Sequence, residues 1–200
     1  LRRLALYDGS TELSEVAISS GTATFSGLTL AAGDNSAKDF SLRASFAGTV
    51  TDNAQFSFTV SSATADVAGS TFATADAGAA ASSTTGDRNK IEVTADRLTF
   101  VQQPSNVSVN TAMSPAPTVS ANDALANRDL DYVTNMTATT TGTFGSSTNL
   151  VTPVAGLGTF SNLQFSAATT GRTIEVTSGS LTASGNSSTF DITASIGAGD

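Results

Sequence analysis

The stretch "NDALANRDLDY" (residues 122–132) gathers a polar cluster whose residue types could do chemistry. Asp123, Asn127, Asp129 and Asp131 offer carboxylate and amide oxygens, the donors of which a hard cation such as calcium takes about six to eight. Asp129 and Asp131 alternate with Leu130, so in an extended chain both carboxylates project to one side. The spacing is not that of an EF-hand, which needs a central Gly and a closing Glu. The same residues also read as an Asx-rich connection whose side chains cap their own backbone. A second acidic group joins "GDN" (33–35) and "TDN" (51–53), with Asp39 nearby. It reads as a pair of turns flanking "DFSLRASF", or as carboxylates that face a following module and bridge a cation there.

Other chemistry is poorly supplied. The chain has no Cys, His or Trp, so thiolate nucleophiles, disulfides, Cys/His zinc sites and a Ser-His-Asp relay are all excluded. Glycoside hydrolysis needs paired carboxylates across a cleft. The four Glu residues, Glu12, Glu15, Glu92 and Glu175, sit instead on alternating segments where they face water. Tyr7 and Tyr132 are the only tyrosines, which is little for a sugar-stacking platform. The expectation is that this chain is not an enzyme and carries no cofactor beyond the calcium candidate. Asn-x-Ser/Thr triplets at Asn106, Asn135 and Asn186 are acceptor patterns for glycosylation.

The net charge is −8 with a pI near 4.3, and the cations are scattered. That removes the basic footprint a nucleic-acid partner requires. No apolar run approaches the roughly 20 residues that cross a bilayer. Ser and Thr make up 60 of the 200 residues, and only 13% are charged. Hydroxyls therefore hydrate this surface, a habit that points to an extracellular location.

The elements that must position these residues announce themselves by repetition. "ATFSGLTL" (23–30) returns as "GTFSNLQF" (158–165), with Phe25 and Leu28 matching Phe160 and Leu163. "KDFSLRASF" (38–46) and "AQFSFTV" (54–60) then match "GRTIEVTSG" (171–179) and "SSTFDIT" (187–193). Phe40, Leu42 and Ala44 fall in step with Ile174, Val176 and Ser178. Each segment alternates apolar and polar residues, the mark of a strand with one buried face, and no helical period appears. "RLTFVQQP", "APTVSAND", "DYVTNMTATTTG" and the edge strand "NLVTPVAG" raise the second copy to about seven strands, the size of an immunoglobulin-like sandwich.

The expected organisation is all-β, with tandem immunoglobulin-like β-sandwich modules. Residues 1–61 form the C-terminal part of one module, incomplete at its N-terminus and opened by a hairpin around Asp8-Gly9-Ser10. Residues 62–96 form an Ala/Gly/Ser/Thr-rich connection anchored by Phe72, with a short strand at "NKIEVTAD". Residues 97–193 form a complete module, and 194–200 begin the next linker. "LRRLALYDGS" reads as a strand in mid-flow, so the sequence is expected to be a piece of something longer.

Taken together, "LTFVQQPSNVSVNTAMSPAPTVSANDALANRDLDY", "GLGTFSNLQFSA" and "SSTFDI" resemble the immunoglobulin-like tandem repeats of very large exported surface proteins of Bacteroidetes. Some of those resemble adhesins and cargo of the type IX secretion system. Ala126 stands where that repeat reads Gly. The resemblance implies a stalk, fibre or adhesive segment at the cell surface, with neighbouring repeats or copies of itself as partners. The alternative is a module that binds glycan or protein through loops 122–132 and 142–150.

Overall fold

Leu4 and Leu6 alternate with Arg3, Ala5 and Tyr7, and this alternation builds the first sheet. The computed structural model describes residues 1–56, 58–60, 90–140, 142–182 and 187–195. Phe72, most of the 62–96 connection, Asn186 and residues 196–200 lie outside the described residues. The chain divides into two compact units, Leu1–Val50 and Thr51–Asp200. Among the described residues it is all-β, without helix, in several small and mainly antiparallel sheets. This arrangement is consistent with a β-sandwich.

In the first unit, β1 (Arg3–Asp8) lies between β2 (Thr11–Ala17) and β3 (Ser41–Ser45), both antiparallel to it. Asp8 pairs with Thr11 around a two-residue turn in which Gly9 takes φ +59°, as hairpin turns of this length require. Register sets Leu4 beside Val16 and Ala44, and Leu6 beside Leu42, on one apolar face. The opposite face is polar. Arg3 pairs with Glu15 at 2.9 Å, Arg43 stacks 4.0 Å over the Tyr7 ring, and the Tyr7 hydroxyl donates to Glu12.

Among the described residues the second unit holds three sheets. β4 (Arg97–Gln102), β6 (Thr118–Asn122) and β9 (Leu157–Thr159) form one, in the order β4-β6-β9. β7 (Met136–Thr140), β8 (Leu150–Val151), β11 (Ile174–Ser178) and β12 (Leu181–Thr182) form another, in the order β12-β11-β7-β8. β10 (Thr169–Arg172), β13 (Phe190–Thr193) and β5 (Val107–Ser108) complete the third, with β13 and β5 parallel. Inward residues of all three sheets meet in one core: Leu98 and Val119, Met136 and Val176, Phe190 and Ile192. Phe160, Leu163 and Phe165 fill its centre, each at most 1% exposed. Each such side chain contributes about 1.5–3 kcal/mol by leaving water.

The order β2-β1-β3 repeats as β8-β7-β11, antiparallel throughout. Leu4 and Leu6 hold the places of Met136 and Ala138, and Leu42 that of Val176. A tight turn recurs as well. Ser19 and Thr22 bridge around Ser20 and Gly21, at φ +50° and +76°; Val154 and Leu157 bridge around Ala155 and Gly156, at +47° and +69°.

Several expected strands have a different form. "ATFSGLTL" carries none, and its second copy carries only β9, which owes its strand character to hydrogen bonds from β6. Beyond it, Phe160–Phe165 bond instead to the backbone of 110–117 and to Gly145. "AQFSFTV" and "NKIEVTAD" meet in a single bridge, Gln55 with Lys90. "GRTIEVTSG" splits at Thr173 into β10 and β11, which belong to different sheets. Among the described residues the second unit thus shows ten strands rather than about seven: this split adds one, and β5 and β12 are two-residue pairings too short to leave an alternation.

The chain passes through this unit from one end to the other. Asp96 and Arg97 lie beside Asn122, at the end of β6 that leads into loop 123–135. Thr193 leaves beside Val109, and Asn110 bonds to Phe165, next to Gln164 and Gly145. Loop 142–149, which contains Gly145, sits at the opposite end of β7 from loop 123–135.

Candidate functional site

The loop after β6 closes on itself first. One Asp123 oxygen accepts the amides of Leu125 and Asn127 at 2.9 and 2.8 Å, and the other accepts the Asn127 side-chain amide at 2.9 Å. The Asn127 side-chain bond, with those backbone amides and the charge of Arg97, holds the Asp123 carboxyl below its ordinary range against some desolvation. The turn needs Ala126 at φ +65°. It therefore forms without the Gly that the resemblance led one to expect.

The second half of the loop points elsewhere. Asp129 is buried, and its carboxylate accepts the Ala95 amide at 2.9 Å. Asp52, only 3% exposed, accepts the amide of Val93 with one oxygen and that of Leu130 with the other, both at 2.7 Å. Backbone bonds between Asn53 and Ile91 and between Ile91 and Ala54 tighten the same junction. Three distant segments, 51–54, 90–95 and 128–131, are thereby stitched together by two carboxylates. Tyr132 anchors the loop's far side, donating to Ser178 Oγ at 2.8 Å while that hydroxyl's single proton is shared between the carbonyls of Thr134 and Asn135.

The stitching concentrates charge. Carboxylate oxygens of Asp52, Glu92 and Asp131 lie within 4.8 Å of one another. Lys90 reaches into them, 3.1 Å from Glu92 and 3.8 Å from Asp131, with its side chain 15% exposed. Burial pushes the Asp129 carboxyl above its ordinary range. The Ala95 amide opposes this, and the Asp131 hydrogen bond and the charges of Asp131 and Asp52 add to it. The group can hold a positive charge, and the Lys90 ammonium already supplies one.

The four residues read from sequence as cation ligands are thus divided. Asp123 and Asn127 bond to each other within the turn. Asp131 joins Asp52, Glu92 and Lys90, while Asp129 bonds to Ala95 and lies beside Asp131 and Asp52. The "TDN" turn does meet other segments through Asp52, but Glu92 and Lys90 carried no sequence signal beyond ordinary strand alternation. Of the glycosylation patterns, Asn106 accepts the Asp191 amide and Asn135 accepts the Thr152 hydroxyl. Glu12 and Glu15 serve the polar face of the first sheet, while Glu175 is exposed opposite Thr139 on β11. Loops 122–132 and 142–150, the candidate binding loops, lie at opposite ends of β7. No helix among the described residues is long and apolar enough to cross a membrane. No protein-family model matches the chain, and no curated protein matches it.

Proposed function

We propose that this chain is a structural and adhesive segment of a long exported bacterial surface or filament protein, acting as a stalk or fibre element. Its units are tandem immunoglobulin-like repeats, and its natural setting is extracellular, with type IX secretion as the route the resemblance implies. The observation that carries the reading is the passage of the chain through the second unit, in at the β6–β7 end and out at the other. A module threaded that way adds length without redesign, because each repeat buries its own core and contacts its neighbours. Tension applied at its ends runs along β13 and β5, whose parallel hydrogen bonds share the load. A hydroxyl-rich, low-charge surface suits a rod that avoids non-specific attraction.

Mechanical pulling tests this, and the lack of native Cys makes attachment clean. Force applied through cysteines introduced at Thr94 and Ala194 loads β5 and β13 in shear. Force applied through Val133 and Ser180 peels β7 from β11 at one end. A load-bearing element should unfold at several-fold higher force in the first geometry. Equal and low forces in both would remove the basis for a stalk.

A further inference from the structure

The junction that Asp52 builds stands at the N-terminal entrance of the second unit. The chain passes out through Asn53 and Ala54 and comes back through Ile91, and the two passages lie antiparallel. Ile91 donates to the Ala54 carbonyl and Asn53 to the Ile91 carbonyl, each at 2.9 Å, and Gln55 bridges Lys90. Asp52 sits at the open end of this ribbon. Its carboxylate accepts the amide of Val93, 41 positions along the chain, and that of Leu130, 78 positions along, both at 2.7 Å. Charge-assisted bonds of this kind are roughly twice as strong as neutral ones, and Asp52 makes both while only 3% exposed. Two further bonds stand behind them. The Ala95 amide donates to Asp129 at 2.9 Å, and the Asp96 amide donates to the Asn122 carbonyl at 3.0 Å.

We infer that this junction is a force-released clasp with stored chain length behind it. The role rests on the stalk reading, because only a chain under tension uses it. Load arriving at Thr51 passes through Asp52 straight to Val93 and Leu130. The covalent chain between Asp52 and Val93 therefore stays outside the force path while the clasp holds. Thr51 and Thr94 lie at the same end of the antiparallel ribbon, so pulling them apart opens its bonds one after another. β5 and β13 are parallel and loaded along their length, and their bonds resist together. The clasp yields first. Opening from Asp52 to Val93 releases about 135 Å of extended chain, while the core of the second unit stays folded. The bonds at Ala95 and Asp96 then stop the opening at the start of β4.

The test pulls the full chain through azide-bearing side chains that replace Thr51 and Ala194, so that the first unit bears no load. The trace should show an early step at several-fold lower force than the main one, releasing about 135 Å of chain. Handles at Thr94 and Ala194 should show the main step alone. A disulfide formed by Gln55→Cys with Lys90→Cys should shorten the early step to roughly 20–25 Å, and reduction should restore it. Asp52→Asn keeps one acceptor, and should lower the early force by about half or abolish the step, with the main step in place. The disulfide pair keeps the test decisive even where Asp52→Asn leaves the junction open at rest. Three results would overturn the inference: no early step between 51 and 194, an early step whose length the disulfide leaves unchanged, or an early force that Asp52→Asn does not lower. Handles at Thr94 and Ala194 bypass the clasp, so the comparison of shear with peeling judges the stalk reading by itself and the two failures are told apart.

Discussion

Two turns of nearly the same backbone shape, 19–22 and 154–157, lead into nearly the same words, and only one of them leads into a core. Phe160 and Leu163 are 1% and 0% exposed, whereas Phe25 and Leu28 are only half-buried. The phrase itself therefore does not dictate burial. It supplies a turn and two apolar anchors, and neighbouring strands decide whether the anchors leave water. The largest expected effect follows directly. Phe160→Ala should cost about 3–5 kcal/mol as a core cavity opens, and Phe25→Ala roughly 1 kcal/mol, because much of its surface is already wet. Hydrogen exchange resolves the two units separately. Comparable losses at both positions would mean that the first unit is as well packed as the second.

The glycines sharpen the contrast. Gly21→Ala meets no atoms of the described residues and should cost about 1–2 kcal/mol for its left-handed backbone alone. Gly156→Ala carries the same backbone cost and also drives a methyl into the Asp129 carbonyl, so roughly 3 kcal/mol or more is expected. Thermal unfolding of the paired variants should separate by several degrees. If they unfold together, the loop over Gly156 yields easily and the enclosure is loose.

What the sequence made legible was local. The β1–β2 hairpin and β3 follow from alternation within a few residues and a Gly at the right turn. The Asx reading of Asp123 with Asn127 was equally local. Illegible were features whose cause lies far along the chain. Residues 157–159 become a strand only because β6 pairs with them, and 22–24, of similar sequence, do not. Asp52 reaches the Leu130 amide across 78 positions, and no spacing rule announces such a bond. Lys90 among Asp131 and Glu92 is a product of that same closure.

That closure is the next thing to break. Asp52 uses both oxygens on buried backbone amides, and an amide side chain can supply only one acceptor while turning an NH₂ toward the other donor. Asp52→Asn should therefore cost about 1–3 kcal/mol, the penalty of an unsatisfied buried polar group. The loss should appear as faster exchange at Val93 and Leu130 and leave β1–β3 unaffected. Loss confined elsewhere would show that the three segments are held by other bonds. A smaller change of opposite sign is expected at Ala126, whose φ of +65° suits glycine. Ala126→Gly should stabilise the second unit by about 1 kcal/mol, measured by denaturant midpoint, provided the Asp123–Asn127 bonds stay in place.

The smallest effect separates the two halves of the loop by pH. Asp123 is held below its ordinary range, so its contribution is present above the unfolded value near 4 and fades as pH falls through the lowered folded value. Asp129 is pushed up, chiefly by burial, so the folded chain binds its proton more tightly than the unfolded one. Its contribution is full below the unfolded value and disappears as pH rises through the raised folded one. Asp129→Asn keeps an oxygen for the Ala95 amide and removes the charge facing Asp131 and Asp52. The variant should match the parent near pH 3.5 and exceed it by about 2 °C in Tm at pH 7. If the gap instead widened toward acid, Asp129 would be stabilised as an anion, and Lys90 would have to neutralise Asp129 as well as Glu92 and Asp131.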